Sequence, residues 1–122
     1  PTMAPFNRVK RIAKSLVFDY DDTVKTAVSQ MEGKIYQIHL RVPNFVNVVT
    51  ATLTLEDEDG YEVYTSGAKA RNTNTNLYPA IPQLVAGNFT FKVTLSGAHG
   101  VVGPPATPDA TVVAVIYYEG AY

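Results

Sequence analysis

The chain predicts an all-β protein, an antiparallel β-sandwich of Greek-key or jelly-roll type with about seven or eight strands. Three observations point there. Apolar and polar residues alternate with period two through most of Val48 to Leu95, the pattern of half-buried strands. Turn signals rich in Gly, Pro, Asn and Asp return at short intervals, and no stretch carries a convincing helical period. A small closed barrel is the second arrangement compatible with this pattern.

Residues 1–14 read as an N-terminal arm or edge segment and residues 15–122 as a single sandwich domain. Two prolines and no periodicity mark residues 1–7. From Arg8 to Phe18 apolar positions mix with cations and favour a strand ending in Ser15-Leu-Val-Phe18, because Asp19-Tyr-Asp-Asp22 is a turn signal. Thr23–Ser29 is a short β-prone run. Glu32-Gly33 is expected to turn it into Lys34–Val42, where Tyr36, Ile38, Leu40 and Val42 form a buried face and Gln37, His39 and Arg41 a wet one.

Pro43 closes that strand. In Val48–Asp57, Val49, Ala51, Leu53 and Leu55 lie on one side and threonines 50, 52 and 54 on the other. Asp59-Gly60 favours a tight hairpin turn into Tyr61–Thr65, since glycine adopts positive φ freely. Arg71–Asn76 is polar and turn-rich, and Pro79 and Pro82 make Leu77–Val85 a loop or broken edge segment. Asn88–Leu95 is a strand carrying Phe89, Phe91, Val93 and Leu95. Ser96–Pro108 holds three glycines and three prolines, an exposed connection that is either mobile or gripped by a partner. The last strand, Ala110–Tyr118, is apolar on both sides and belongs in the centre of a sheet or under cover on both faces.

A chain of 122 residues buries roughly two-thirds of its unfolded surface and needs no staple. It has no cysteine, so disulfides and thiolate metal sites are excluded. Charged residues are only 17% of the chain, a share that suits faces partly covered by neighbours. The net charge of −1 hides an asymmetry: Arg8, Lys10, Arg11 and Lys14 precede any acid, and the carboxylates come later. No apolar run is long enough for a membrane span and no signal peptide opens the chain, so no membrane partner is expected. Pro1 before a small polar residue fits removal of an initiator methionine, so the expectation is a complete mature product.

Candidate chemistry is sparse. Glu56-Asp-Glu-Asp-Gly60 invites a calcium reading, but the ligand spacing of an EF-hand fails, and a solvated hairpin guarding a sheet edge explains the charges. His39 and His99 have no serine or aspartate placed for a triad. Paired carboxylates for glycoside hydrolysis find little room for a substrate cleft in this length. No catalytic residue, metal or cofactor is expected. The cations of residues 8–14 fit an acidic protein surface better than a phosphate backbone, because aromatics do not interleave with them beyond Phe6; plain solvation of an edge strand explains them equally well. Asn88-Phe-Thr90 matches a glycosylation sequon, but without a secretion signal it reads as only a strand start.

Eight tyrosines can place apolar bodies against a polar rim. The candidate partner-binding set is therefore Pro5, Phe6, Arg8, Lys10, Arg11, Lys14, Tyr117, Tyr118 and Tyr122, with Tyr61 and Tyr64 as further members of a tyrosine patch; ordinary sheet packing explains the tyrosines equally well.

From Thr52 onward the order Thr-Leu-Thr-Leu-Glu-Asp-Glu-Asp-Gly, Val-Tyr-Thr-Ser-Gly, Phe-Lys-Val-Thr-Leu-Ser-Gly, a Gly/Pro loop and Ala-Thr-Val-Val-Ala-Val-Ile-Tyr-Tyr resembles small β-sandwich proteins of tailed-phage virions, the capsid decoration or cement proteins. The resemblance covers a little over half the chain. It implies a non-enzymatic virion structural protein, assembled in the host cytoplasm, that binds and stabilises a capsid. The implied partners are a major capsid protein or another virion protein, with a homo-oligomer such as a trimer as the assembled form and an N-terminal arm reaching neighbouring subunits. Residues 1–14 fit that arm by position and charge. Another virion role, as a head-completion, tail or fibre component, is the alternative, and a carbohydrate-binding sandwich module comes from a different class.

Overall fold

The computed structural model describes residues 8–79, 83–101, 103, 105 and 107–120. Among them are seven strands: β1 (Arg8–Phe18), β2 (Val24–Val42), β3 (Thr50–Glu56), β4 (Glu62–Ala70), β5 (Thr73–Leu77), β6 (Gln83–Leu95) and β7 (Ala110–Gly120). All pairings are antiparallel, in the order β1-β7-β2-β6-β3-β4, with β5 on β2. The all-β, sandwich-type expectation holds. The two layers are halves of one curled sheet, and their inner side chains close into a single core.

That core is built from alternation. Leu16 and Phe18 of β1, Val112, Ala114 and Ile116 of β7, Leu53 and Leu55 of β3, and Phe91 and Val93 of β6 are all buried. A slip of one residue in β7 would turn Val112, Ala114 and Ile116 outward, at a cost of about 2 kcal/mol for each large side chain, so burial fixes the register. β7 lies between β1 and β2 as its two-sided apolar sequence predicts.

β2 departs from expectation in an instructive way. Glu32-Gly33 does not turn the chain; β2 runs unbroken through it, pairing β6 over Val24–Ile35 and β7 over Lys34–Arg41. Gly33 has φ +141°, and a Cβ there would fall on the Glu119 carbonyl oxygen. Glycine thus allows the close approach of β7 where β2 changes partners. A register shift between Ile35 and Gln37 follows. Because a bulge changes the phase of alternation, Met31 and Ile35 are buried before it and Ile38, Leu40 and Val42 after it. Tyr36, expected on the buried face, is 42% exposed for the same reason.

The β3–β4 hairpin forms where predicted. Gly60 takes φ +83°, and its N–H donates to the Asp57 carbonyl. Further along, Gly67 has φ +70° in a bulge of β4, where the Ser66 hydroxyl accepts from Leu53 N–H in place of a ladder carbonyl. The polar Thr73–Leu77 run, read as a loop or broken edge, is strand β5 on the outer edge of β2. Pairing with residues 38–42 satisfies its backbone despite weak local propensity.

The connection after β6 was expected to be exposed. Its first half is instead pinned by the domain itself. His99 is 1% exposed, its Nε2 donates to the Phe18 carbonyl at 2.9 Å, and its ring lies 5.2 Å from that of Phe45. Asn47 Nδ2 donates to the carbonyls of Ala98 and Gly100. Gly100 N–H closes the anchor on the Tyr20 carbonyl.

Candidate functional site

The antiparallel register sets the outer faces of β1, β7, β2 and β5 side by side. Arg11 lies opposite Tyr117, and Tyr117 opposite Gln37. In the next row come Ala13, Val115, His39 and Asn76, and then Ser15, Val113, Arg41 and Asn74. Partners across a ladder point to the same face. The middle row is low, because Ala13 and Val115 are short, while longer side chains stand around it. The result is a depression of about 270 Å³ lined by Arg11, Gln37, His39, Arg41, Asn76, Val115 and Tyr117.

Hydrogen bonds organise its polar wall. Asn76 Oδ1 accepts from Gln37 Nε2 at 3.2 Å and lies 2.7 Å from His39 Nδ1. An amide oxygen only accepts, so the shorter contact requires the proton on Nδ1. That leaves Asn76 with its amide donors unused by this contact. The amide oxygen thereby fixes the orientation of the imidazole, with Nε2 as its remaining acceptor. Arg11 and Arg41 are exposed, whereas Lys25 is ion-paired with Asp22 at 3.2 Å. Neither arginine has a carboxylate partner among the described residues. Further along β7, Glu119 accepts a hydrogen bond from Tyr36, which together with burial and the carboxylate's charge holds that phenol above its ordinary range.

The structure separates the residues singled out from sequence. Arg11 and Tyr117 meet across β1 and β7. Lys10 and Lys14 share the inward parity of Ile12, Leu16 and Phe18, and are half-buried; the stem of Lys10 lies against Gly120. Tyr118 is in the core, so its ring is not available as a surface contact. Tyr61 and Tyr64 flank the β3–β4 hairpin, with Tyr61 exposed and Tyr64 partly buried, and do not join Tyr117. Arg8 begins β1 opposite Gly120. Pro5, Phe6 and Tyr122 lie outside the described residues.

The acidic turns are occupied with backbone. Asp57 Oδ1 accepts from the N–H groups of Asp59 and Tyr61, and Glu58 Oε1 from Asn88 N–H. Asp22 Oδ2 accepts from Asp19 N–H, which lowers the Asp22 pKa, with Lys25 adding to the effect. Asp19 shares a hydrogen bond with Asp109 and is raised by that contact and by the like charge. Among the described residues no three His, Asp or Glu side chains group as a metal set.

No family model and no curated protein matches the chain. Solved structures similar to it include infectious bursal disease virus, Gx strain, at TM-score 0.47 and 13% identity, covering 94% of this chain and 32% of that one. Others are the Yersinia pseudotuberculosis-derived mitogen, at TM-score 0.45 and 8% identity over 91% and 86% of the two chains, and a Bacillus endospore appendage of a disulfide-linked pilus family, at 0.44 and 12% over 99% and 98%. The chain spans about a third of the length of the virus protein. Likeness at this level carries no function across.

His39, Gln37, Arg41 and Asn76 were absent from the sequence-derived set. Gln37, His39 and Arg41 form the polar half of Lys34–Val42 and Asn76 ends the polar Arg71–Asn76 run, but only the pairing of β2 with β7 and β5 places them beside Arg11.

Proposed function

We propose that this protein is a non-enzymatic structural component of a virion, a decoration or cement protein that binds an assembled capsid and stabilises it. What supports the reading is the resemblance from Thr52 onward, together with one structural observation. Arg11 of the outer face stands on the edge strand β1, which continues from the proline-marked start of the chain, and Arg41 stands on β2 across the intervening β7. β1 is paired on one side by β7, and its other edge takes no strand among the described residues, so that edge can accept an added strand from a capsid subunit.

The mechanism is physical. Ligands that bind one state of a lattice stabilise that state by mass action, and many copies bridging subunits multiply modest contacts. Cosedimentation with empty expanded heads tests it. Retention on expanded heads and absence from unexpanded ones is the expected result; equal retention on both, or on neither, refutes it. A chain lacking residues 1–7 keeps all of β1 and isolates the contribution of the arm. Removal of residues 1–14 is less clean, since Arg8–Lys14 are paired with β7.

A further inference from the structure

We propose that the depression on the outer face is a binding site for a single oxyanion, a carboxylate or phosphate group, held by Arg11 and Arg41 and oriented by the His39–Asn76 pair. The site is independent of the virion reading: it follows from what the depression presents. Arg11 and Arg41 line it, and a guanidinium carries only donors, in a fork that matches carboxylate and phosphate oxygens. The Asn76 carbonyl oxygen is engaged by His39 and Gln37, so the amide nitrogen is the group of Asn76 left to donate.

Burial favours an anion of limited size. Val115, although on the outer face, is 6% exposed and supplies an apolar floor. Charge-assisted hydrogen bonds gain strength where water is partly excluded. The ring of long side chains around the low Ala13–Val115 row gives the group a fixed position rather than a diffuse cationic surface. By contrast Arg71, another arginine of the described residues, has its Nη1 committed to the carbonyls of Phe45 and Val46. Arg11 and Arg41 carry no such task among the described residues.

The test is a titration of the isotope-labelled full chain, followed by the amide resonances of Arg11, His39, Arg41, Asn76 and Val115. Sodium phosphate and sodium acetate are added in separate arms at ionic strength held constant with chloride. Saturable shifts confined to these residues are expected. Arg11→Gln and Arg41→Gln should each weaken binding about tenfold, the loss of one charge-assisted contact, and Lys69→Gln on β4 should leave it unchanged. Asn76→Asp, which adds a carboxylate without removing an arginine, should abolish it.

Saturation by phosphate alone assigns a phosphate-bearing ligand, and saturation by acetate a carboxylate-bearing one. Absence of saturation in both arms overturns the site. So does equal weakening by Lys69→Gln, since that would mean general charge attraction. The dispersion of each variant's spectrum shows independently that it is folded.

Discussion

The two ends of this sheet treat their charges in opposite ways. Around the turns, carboxylates are tied to the backbone: Asp57 and Glu58 hold the β3–β4 hairpin and its neighbour Asn88, and Asp22 closes the β1–β2 turn. On the outer face of β1, β7, β2 and β5, Arg11 and Arg41 stand around a depression with no described carboxylate partner. A turn carboxylate that accepts backbone N–H groups stabilises the fold by replacing lost water. An exposed arginine with no such contact adds little to stability, so its removal should be felt in binding and not in folding.

That contrast can be broken most forcefully where the two regions join. Gly33→Ala forces a side chain onto the Glu119 carbonyl at φ +141°, and should cost about 3 kcal/mol or more. Urea denaturation measures it; a loss below about 1 kcal/mol would show that the bend of β2 tolerates a Cβ. Next comes Arg71→Ala, which frees the Phe45 and Val46 carbonyls and should cost about 2 kcal/mol in the same assay. Asp57→Ala should cost about 1 kcal/mol by opening the hairpin. Arg11→Gln and Arg41→Gln should change stability by no more than about 0.5 kcal/mol. A larger loss at either arginine would place it among the structural ones.

Acid titration sharpens the comparison among the carboxylates themselves. Asp22 is lowered by the Asp19 N–H and by Lys25, so its stabilisation is present above its unfolded pKa and fades as pH falls through the lowered folded value. Asp19 is raised by Asp109, so its contribution is present below the unfolded value and fades as pH rises through the raised one. Asp22→Asn should therefore flatten the acid limb of a stability–pH curve, whereas Asp19→Asn should remove a decline on its neutral side. Identical curves for the two variants would contradict the opposed shifts.

Much of the fold was legible because burial leaves a period-two record. The alternation of Val49–Leu55 and Phe89–Leu95, the Asp-Gly hairpin and the central place of β7 all follow from it. Three features were not. A bulge inverts the phase of β2 in mid-strand, so Tyr36 is misplaced by any constant period. β5 is held by its partner rather than by its own propensity. His99 looked like a residue of an exposed glycine loop, yet it is a buried anchor whose Nδ1 has no hydrogen-bond partner among the described residues. The depression was half legible: Arg11 and Tyr117 drew attention through charge and aromaticity, but a register between strands far apart in sequence decides that Arg41, His39 and Asn76 stand beside them.

The most direct measurement is thermal unfolding of the native chain and of the Arg11→Gln/Arg41→Gln double variant, each in chloride and in phosphate at matched ionic strength. Binding to the folded state raises the midpoint by mass action. Equal midpoints in chloride, with a phosphate-induced rise in the native chain alone, are predicted. A lower chloride midpoint for the variant, or an undiminished rise in phosphate, would contradict the assignment of these two arginines to a ligand.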